Sequence, residues 1–512
     1  MPELAPDVVV KRRPISDKRD FVATPAKGAV HIGPAFTGSN VHVADSLDEW
    51  PPLVTRLLYK RPVPDSGLWR EVQQFVENNL EMFGEAGVIK PMRFKEWLKR
   101  YGGKQLNDML EGDKYYKQNG LSNKLLTTNS MFLKIENKPA NWWMRVFEEI
   151  KSRLIISCHP AIKRVVGPWC VAVSKYMAKL FNVDNQFGVT YAAGLSQQEI
   201  GDWFTECVSQ FGNNSIYDND MSGYDSTQSD LSLKTTNNIF SYWGVAGDAM
   251  RALRAQELKQ KICSKTGIVV ERKAFMKTGV PNTTITNSLT NIIIHLFAFM
   301  KIGAIPYKDF RMIIMGDDML AFVSKKISDN YLTVENTIKQ LGFRPKIRVG
   351  LSAHEAKFCS MSFLPTLEGT WMPGPLTGKC MFKLAFSPNL NNLKLTESIM
   401  KQHRRGVALG LLSITNHVPV LRDYIQNELK LTEGAKGKYL QLAKKMIEMK
   451  YFAGSSSQHH DYADVLTAQR YNVTTADLNL LTELIQRMNQ IGWYQLHNSA
   501  EIVSQMLCVD MT

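Results

Sequence analysis

Arg311-Met-Ile-Ile-Met-Gly-Asp-Asp-Met-Leu-Ala-Phe-Val323 consists of two short apolar runs joined by Gly316-Asp317-Asp318. Each run has strand length and a composition that suits a buried sheet. The pair predicts a β-hairpin with two carboxylates at its tip. Adjacent aspartates repel, and burying their charge is costly unless a cation offsets it. A solvated Gly-Asp turn has the same composition, so neighbouring segments must decide between the two.

Outward from the hairpin, Asp220 and Asp225 stand in Asp218-Asn-Asp-Met-Ser-Gly-Tyr-Asp-Ser-Thr-Gln-Ser-Asp230. Residues 215–221 read as a strand and 229–240 as a helix, so Asp220 falls at a strand end. If that strand neighbours the hairpin, Asp220, Asp317 and Asp318 would hold two Mg²⁺ ions about 3.5–4 Å apart. Mg²⁺ takes few carboxylates and completes its shell with phosphate oxygens and water. The competing reading is an acidic loop before a solvated helix start. A third segment, Thr278-Gly-Val-Pro-Asn-Thr-Thr-Ile-Thr-Asn287, carries a Gly-containing loop into a helix predicted over 283–299. Thr283 and Asn287 then share one helix face and can hydrogen-bond a ribose. Plain N-capping by Asn282 or Thr283 stays open.

Taken in order, Asp-x4-Asp, Thr-Gly-x3-Thr-x3-Asn and Gly-Asp-Asp resemble motifs A, B and C of viral RNA-dependent RNA polymerases. The spacing agrees, with 53 residues from Asp225 to Thr278 and 39 from Thr278 to Asp317. Tyr224-Asp-Ser-Thr-Gln228 and Phe275-Met-Lys-Thr278 look most like the alphavirus-like and nodavirus-like members, although most relatives have Ser where Thr278 stands. Weaker resemblances extend the match across roughly residues 95–385. Phe132-Leu-Lys134-Ile-Glu136 and Lys151-Ser-Arg153 look like motif F, whose cations line a triphosphate channel. Tyr101-Gly-Gly-Lys104 is similar to motif G, and Phe358-Cys-Ser-Met-Ser-Phe363 to motif E. Gly342-Phe-Arg-Pro-Lys346 sits where motif D is expected; Lys346, with Lys357 as its rival, would protonate the leaving pyrophosphate.

The resemblance implies an α+β right hand with fingers, palm and thumb, the palm a small antiparallel sheet backed by helices. Residues 1–65 would be an N-terminal extension or strap, 66–212 fingers, 213–230 palm, 231–272 a fingers insertion, 273–384 palm and 385–512 thumb. It implies catalysis by Asp220, Asp317, Asp318 and Lys346, with the three aspartates as metal ligands. Substrate would be held by Asp225, Thr278, Gly279, Thr283, Asn287, Lys134, Lys151 and Arg153. Mg²⁺, or Mn²⁺ in its place, is the implied cofactor. The implied partners are template RNA, nascent RNA, nucleoside triphosphates and other viral replication proteins. Those proteins would hold the chain in membrane-associated complexes in the host cytoplasm.

Composition fits this reading. The 512 residues carry 62 Lys plus Arg against 48 Asp plus Glu, a formal charge of +14, which suits a polyanionic partner. Seven cysteines without a CxxC pair predict reduced thiols. The start of the chain lacks a signal-peptide core. The most apolar run, Ile292–Met300, is too short to span a bilayer and contains His295. A reverse transcriptase shares the metal logic, but that class typically places a bulky aromatic where Asp225 stands. A basic RNA-binding or capsid protein explains the charge and leaves the ordered carboxylates unexplained.

Overall fold

The hairpin is central to a five-stranded sheet in the computed structural model, which describes residues 5, 8–12, 30–31, 40–43, 49–134, 137–140, 153–384, 386–387, 396–454, 457–487 and 500–511. In chain order the strands are β1 (Val189–Tyr191), β2 (Ile216–Asn219), β3 (Phe310–Met315), β4 (Asp318–Val323) and β5 (Ile347–Leu351). Their order across the sheet is β5-β2-β4-β3-β1. Only β1 and β3 pair in parallel; the other pairs are antiparallel. Met315 faces Asp318 across β3 and β4, leaving Gly316 and Asp317 as a two-residue turn. Gly316 has φ 70°, the left-handed geometry that hairpin turns ask of their first central residue. No atom would meet a Cβ there, so backbone conformation rather than space calls for glycine.

The sheet is buried on both faces, which is why its central strands read as continuous apolar runs. Met312, Ile314, Met319 and Ala321 join a core with the helix Thr283–Lys301. Their alternates Ile313, Leu320 and Phe322 pack with Trp203 and Phe204 of the helix Gln197–Phe211. Strand period two thus divides one hairpin between two cores. The strand expected over residues 215–221 ends earlier, at Asn219. Beyond it Asp220 and Lys346 exchange backbone bonds of 3.3 and 3.0 Å. The chain then turns at Gly223, φ 63°, into the short helix Tyr224–Thr227.

A second five-stranded sheet runs Val9–Arg12, Ile268–Arg272, Gln260–Ser264, Thr128–Leu133, Leu154–Ser157. The loop before Thr283 docks on its strand Leu154–Ser157. Parts of the N-terminal 65 residues add strands elsewhere: Val30–His31 pairs with Phe386–Ser387, and Asn40–Val43 with Asn137–Ala140. From residue 397 onward the described chain is mostly helical, and its helices share a separate apolar core. The architecture is therefore mixed helix and sheet. All seven cysteines are free thiols. Among the described residues no helix is long and apolar enough to cross a membrane.

Candidate active site

Pairing of β2 with β4 sets Asp218 opposite Leu320, so the C-terminal end of β2 lies beside the β3–β4 turn. That register brings Asp220 toward Asp317 and Asp318. The three acids are electrostatic neighbours: Asp220 disfavours ionisation of both hairpin aspartates. Asp317 and Asp318 are solvent-exposed, yet protein surrounds them closely enough that lost hydration is the main force raising their pKa values. Asp317 rises for that reason and then through the charge of Asp220. Asp318 is pushed up to about 7, first by lost hydration and then by Asp317. The neighbouring Cys359 thiol favours the ionised form of Asp318 and partly counters the rise.

The turn is held from the long helix. Gly316 N–H donates to Ser288 Oγ at 2.8 Å, and Asn291 Nδ2 donates to the carbonyls of Gly316 and Asp317 at 3.2 and 3.4 Å. One turn earlier, Asn287 Nδ2 donates to Asp225 Oδ1 at 2.6 Å. Asn287 Oδ1 in turn accepts from Gln228 Nε2 at 3.5 Å, and its backbone carbonyl accepts from Tyr224 Oη at 3.2 Å. Asp225 has a pKa pushed up to about 6 by burial, opposed by the Asn287 bond. Arg61 Nη1 donates to Gln228 O at 2.8 Å and Arg272 Nη2 to Ser226 O at 2.9 Å, clamping the backbone that carries Asp225.

Asp220, Asp225, Asn287, Asp317 and Asp318 therefore gather at one end of the sheet. Lys346 joins them, its Nζ 4.0 Å from Asp220 Oδ2, with both groups exposed. Lys357 instead donates to Val509 O at 3.3 Å in the C-terminal helix. Arg153 favours the ionised forms of Asp225 and Asp317 by its charge. Lys134 pairs with Arg153 through the backbone, N–H to O, at 2.8 Å. Lys151 lies outside the described residues.

The loop before the long helix makes its own contacts within the protein. Thr278 Oγ1 donates to Leu154 O at 2.9 Å and accepts from Ile156 N–H at 3.0 Å. Gly279 N–H donates to Ile156 O at 2.9 Å, and an added Cβ would sit 2.7 Å from Ile155 Cγ2. Thr283 Oγ1 turns back onto Lys277 O at 2.6 Å and Val280 O at 3.0 Å. These three positions dock the loop onto the strand Leu154–Ser157 and brace its own turn. Neither Asn282 nor another side chain caps the helix start.

Sequence reading missed several contributors. Arg56 lies in the N-terminal segment, yet its charge reaches Asp225 and Asp317. Arg61, Arg272, Ser288 and Asn291 act on the site through backbone groups, and no local pattern marks them. Cys359, in the segment similar to motif E, is unlike a nucleophile: burial and the nearby carboxylates raise its thiol pKa well above the ordinary value.

The carboxylate set fits divalent cations. The oxygens of the three acids face one another without all coming within 4.8 Å, and lost hydration disfavours the charge on two of them, which a bound cation would offset. The family model described as viral RNA-dependent RNA polymerase matches residues 58–490. Genome polyproteins of classical swine fever virus, strains Alfort/Tuebingen and Brescia, are each 20% identical to the chain over 269 residues. That alignment covers 49% of this chain and 6% of each polyprotein. The chain belongs to the viral RNA-dependent RNA polymerases and is an RNA-directed RNA polymerase.

Proposed function

We propose that the chain replicates and transcribes a viral RNA genome by adding nucleotides from nucleoside triphosphates to an RNA 3′ end at the carboxylate cluster. The observation that carries this is the convergence of Asp220, Asp317 and Asp318 beside the Asn287–Asp225 pair. Asp220, Asp317 and Asp318 would hold two Mg²⁺ ions, replaceable by Mn²⁺, which when bound neutralise charge on the attacking 3′-oxygen and the pyrophosphate. Asp225 accepts from the ribose 2′-hydroxyl, and Asn287 orients it. Arg153, Lys134 and Lys151 attract and align the triphosphate. Lys346, beside Asp220, donates a proton to the leaving pyrophosphate. Its placement favours it over Lys357, whose ammonium is engaged by the C-terminal helix.

In this reading the central sheet and its backing helices form the palm, within 213–230 and 273–384. Residues 66–212 and 231–272 form the fingers, 385–512 the thumb, and 1–65 a strap. RNA threads between them, and other viral proteins bring the enzyme to host membranes. The finer grouping with alphavirus-like and nodavirus-like polymerases rests on Tyr224–Gln228 and Phe275–Thr278 alone.

The test is Asp317→Asn. Loss of one charge from a shared ligand should reduce template-directed incorporation below a few per cent of wild type, on the order of 10²-fold, with RNA binding retained. Incorporation near the wild-type rate in Asp317→Asn removes the cluster from the chemistry.

A further inference from the structure

Within the apolar helix Thr283–Lys301, one polar layer runs through the core beneath the carboxylates. Asn219, His295 and Asn291 are all essentially buried, at 1%, 0% and 0% exposure. His295 Nδ1 lies 3.0 Å from Asn291 O, and His295 Nε2 lies 3.0 Å from Asn219 Nδ2. Asn219 Oδ1 accepts from Lys346 N–H at 3.1 Å, and Asn291 Nδ2 donates to Gly316 O and Asp317 O.

Hydrogen-bond chemistry fixes the direction of the whole chain. A backbone carbonyl only accepts, so Nδ1 carries the imidazole proton and Nε2 is the bare acceptor. Nε2 can then only receive from the Asn219 amide, which turns Asn219 Oδ1 toward Lys346. Any other tautomer would set donor against donor or leave Lys346 N–H without Asn219. Burial also drives the pKa of His295 down to about 4, which keeps the ring neutral.

Stability alone does not explain this layer. Tyr217, which meets the His295 ring edge-on at 6.1 Å, has a buried hydroxyl without a hydrogen-bond partner among the described residues, and Asn291 Oδ1 is in the same position. Such orphaned groups cost stability, and an aliphatic layer continuous with Ile292 and Leu296 would avoid that cost. The chain touches the residue before Asp220, the backbone of Lys346 and the Gly316–Asp317 turn. It thereby links three separate segments of the site to the helix that carries Asn287.

We propose that His295 is a positioning residue. Through Asn219 it holds the β2 end and the Lys346 segment against the helix whose Asn291 side chain grips the β3–β4 turn, so that Asp220 and Asp317 meet the same cation. This rests on the metal-site reading above. His295 touches neither substrate nor carboxylate; it acts through the Asn219 side chain while its Nδ1 is anchored on the Asn291 backbone carbonyl.

The experiment compares His295→Leu, His295→Gln and His295→Asn with wild type and Asp317→Asn. Thermal melting, turnover and KM for nucleotide are measured, together with Mn²⁺ binding to the RNA-free enzyme by water proton relaxation. His295→Leu should fold, bind Mn²⁺ about 10-fold more weakly and lose roughly 10- to 100-fold in turnover, the scale of a small misplacement at a reacting centre. KM should change less. His295→Gln keeps an acceptor toward Asn219 and should recover most of both losses. His295→Asn keeps only the donor toward Asn291 and should not. Should His295→Leu fail to fold, the Gln and Asn variants decide, because equal Mn²⁺ binding and turnover in those two overturns the proposal. Wild-type Mn²⁺ binding in His295→Leu, with its loss in Asp317→Asn, also overturns it and leaves the metal site standing. Equal Mn²⁺ binding by wild type and Asp317→Asn overturns both.

Discussion

Replacing Asp225 by Ala probes sugar choice at a point where the structure gives a magnitude. Asn287 Nδ2 occupies Asp225 Oδ1 at 2.6 Å, while Oδ2 has no hydrogen-bond partner among the described residues. A ribose 2′-hydroxyl donating to that oxygen makes a hydrogen bond to a charged acceptor, worth about 1.5–3 kcal/mol. At 1.36 kcal/mol per decade this is roughly 10- to 150-fold in rate. A deoxynucleotide forfeits the bond and leaves a half-buried carboxylate unpaired, the situation in which hydroxyl-reading sites discriminate best. Wild type should therefore prefer ribonucleotides on the order of 10²-fold, and Asp225→Ala should narrow the preference to within about 5-fold. Asn287→Ala frees the carboxylate to rotate and should fall between them. The double variant should lose little beyond Asp225→Ala, because both act on one contact. The assay is single-nucleotide extension with matched ribo- and deoxyribonucleoside triphosphates. A wild type without preference refutes ribonucleotide selection at this site. A preference that survives Asp225→Ala refutes the role given to this residue.

Two more outcomes follow from the same geometry. Gly279→Ala forces a methyl to within 2.7 Å of Ile155 Cγ2 and 2.9 Å of Ile156 O; overpacking of this kind costs about 1–3 kcal/mol. It should lower the melting temperature and slow extension, and an unchanged melt would mean that the loop does not dock on Leu154–Ser157. The raised pKa values give a pH dependence. Asp318 titrates near 7 and Asp225 near 6 in the fold, against 3.8 as ordinary values. The metal-free fold thus favours the protonated forms. Their contribution to stability is fully present below about pH 4 and is lost as pH rises through about 6 to 7. A cation bound by Asp318 offsets that loss, so Mg²⁺ should raise the melting temperature more at about pH 8 than at about pH 5.5. An equal rise at both values would place Mg²⁺ elsewhere.

The parts of the site legible in the sequence are those whose chemistry lies within a few residues. Gly316-Asp317-Asp318 announces both its turn and its charge, and Asp220 and Asp225 stand together before a Ser-capped helix, Asp230–Tyr242. Helix period alone put Asn287 one turn from Thr283. Orientation was harder to read. Thr278 and Thr283 have hydroxyls suited to a ribose, but a hydroxyl serves a backbone carbonyl equally well, and the loop must close before it can present anything. Docking of Thr278 on Leu154 and Ile156 is a contact across more than 120 residues, which no local pattern encodes. Arg56 and Arg61 are hidden for the same reason, as cations in a segment with no periodicity to place them.

His295 shows a different kind of opacity. In the sequence it interrupts an apolar run, a feature that excludes a membrane span and otherwise reads as an anomaly. In the fold the anomaly lies at a helical position that reaches Asn219, below the acids. Apolar packing can be satisfied by many small rotations of a helix against a sheet, since dispersion and burial have no direction. Hydrogen bonds have direction, and a neutral imidazole with its proton fixed on Nδ1 accepts at one angle only. A carboxylate cluster assembled from three segments and proposed for catalysis needs that second kind of constraint, because misplacement by a fraction of an ångström is slight in packing energy and large in rate. The polar layer at Asn219, His295 and Asn291 supplies it where the surrounding core cannot, and the orphaned Tyr217 hydroxyl and Asn291 oxygen mark the stability given up for it.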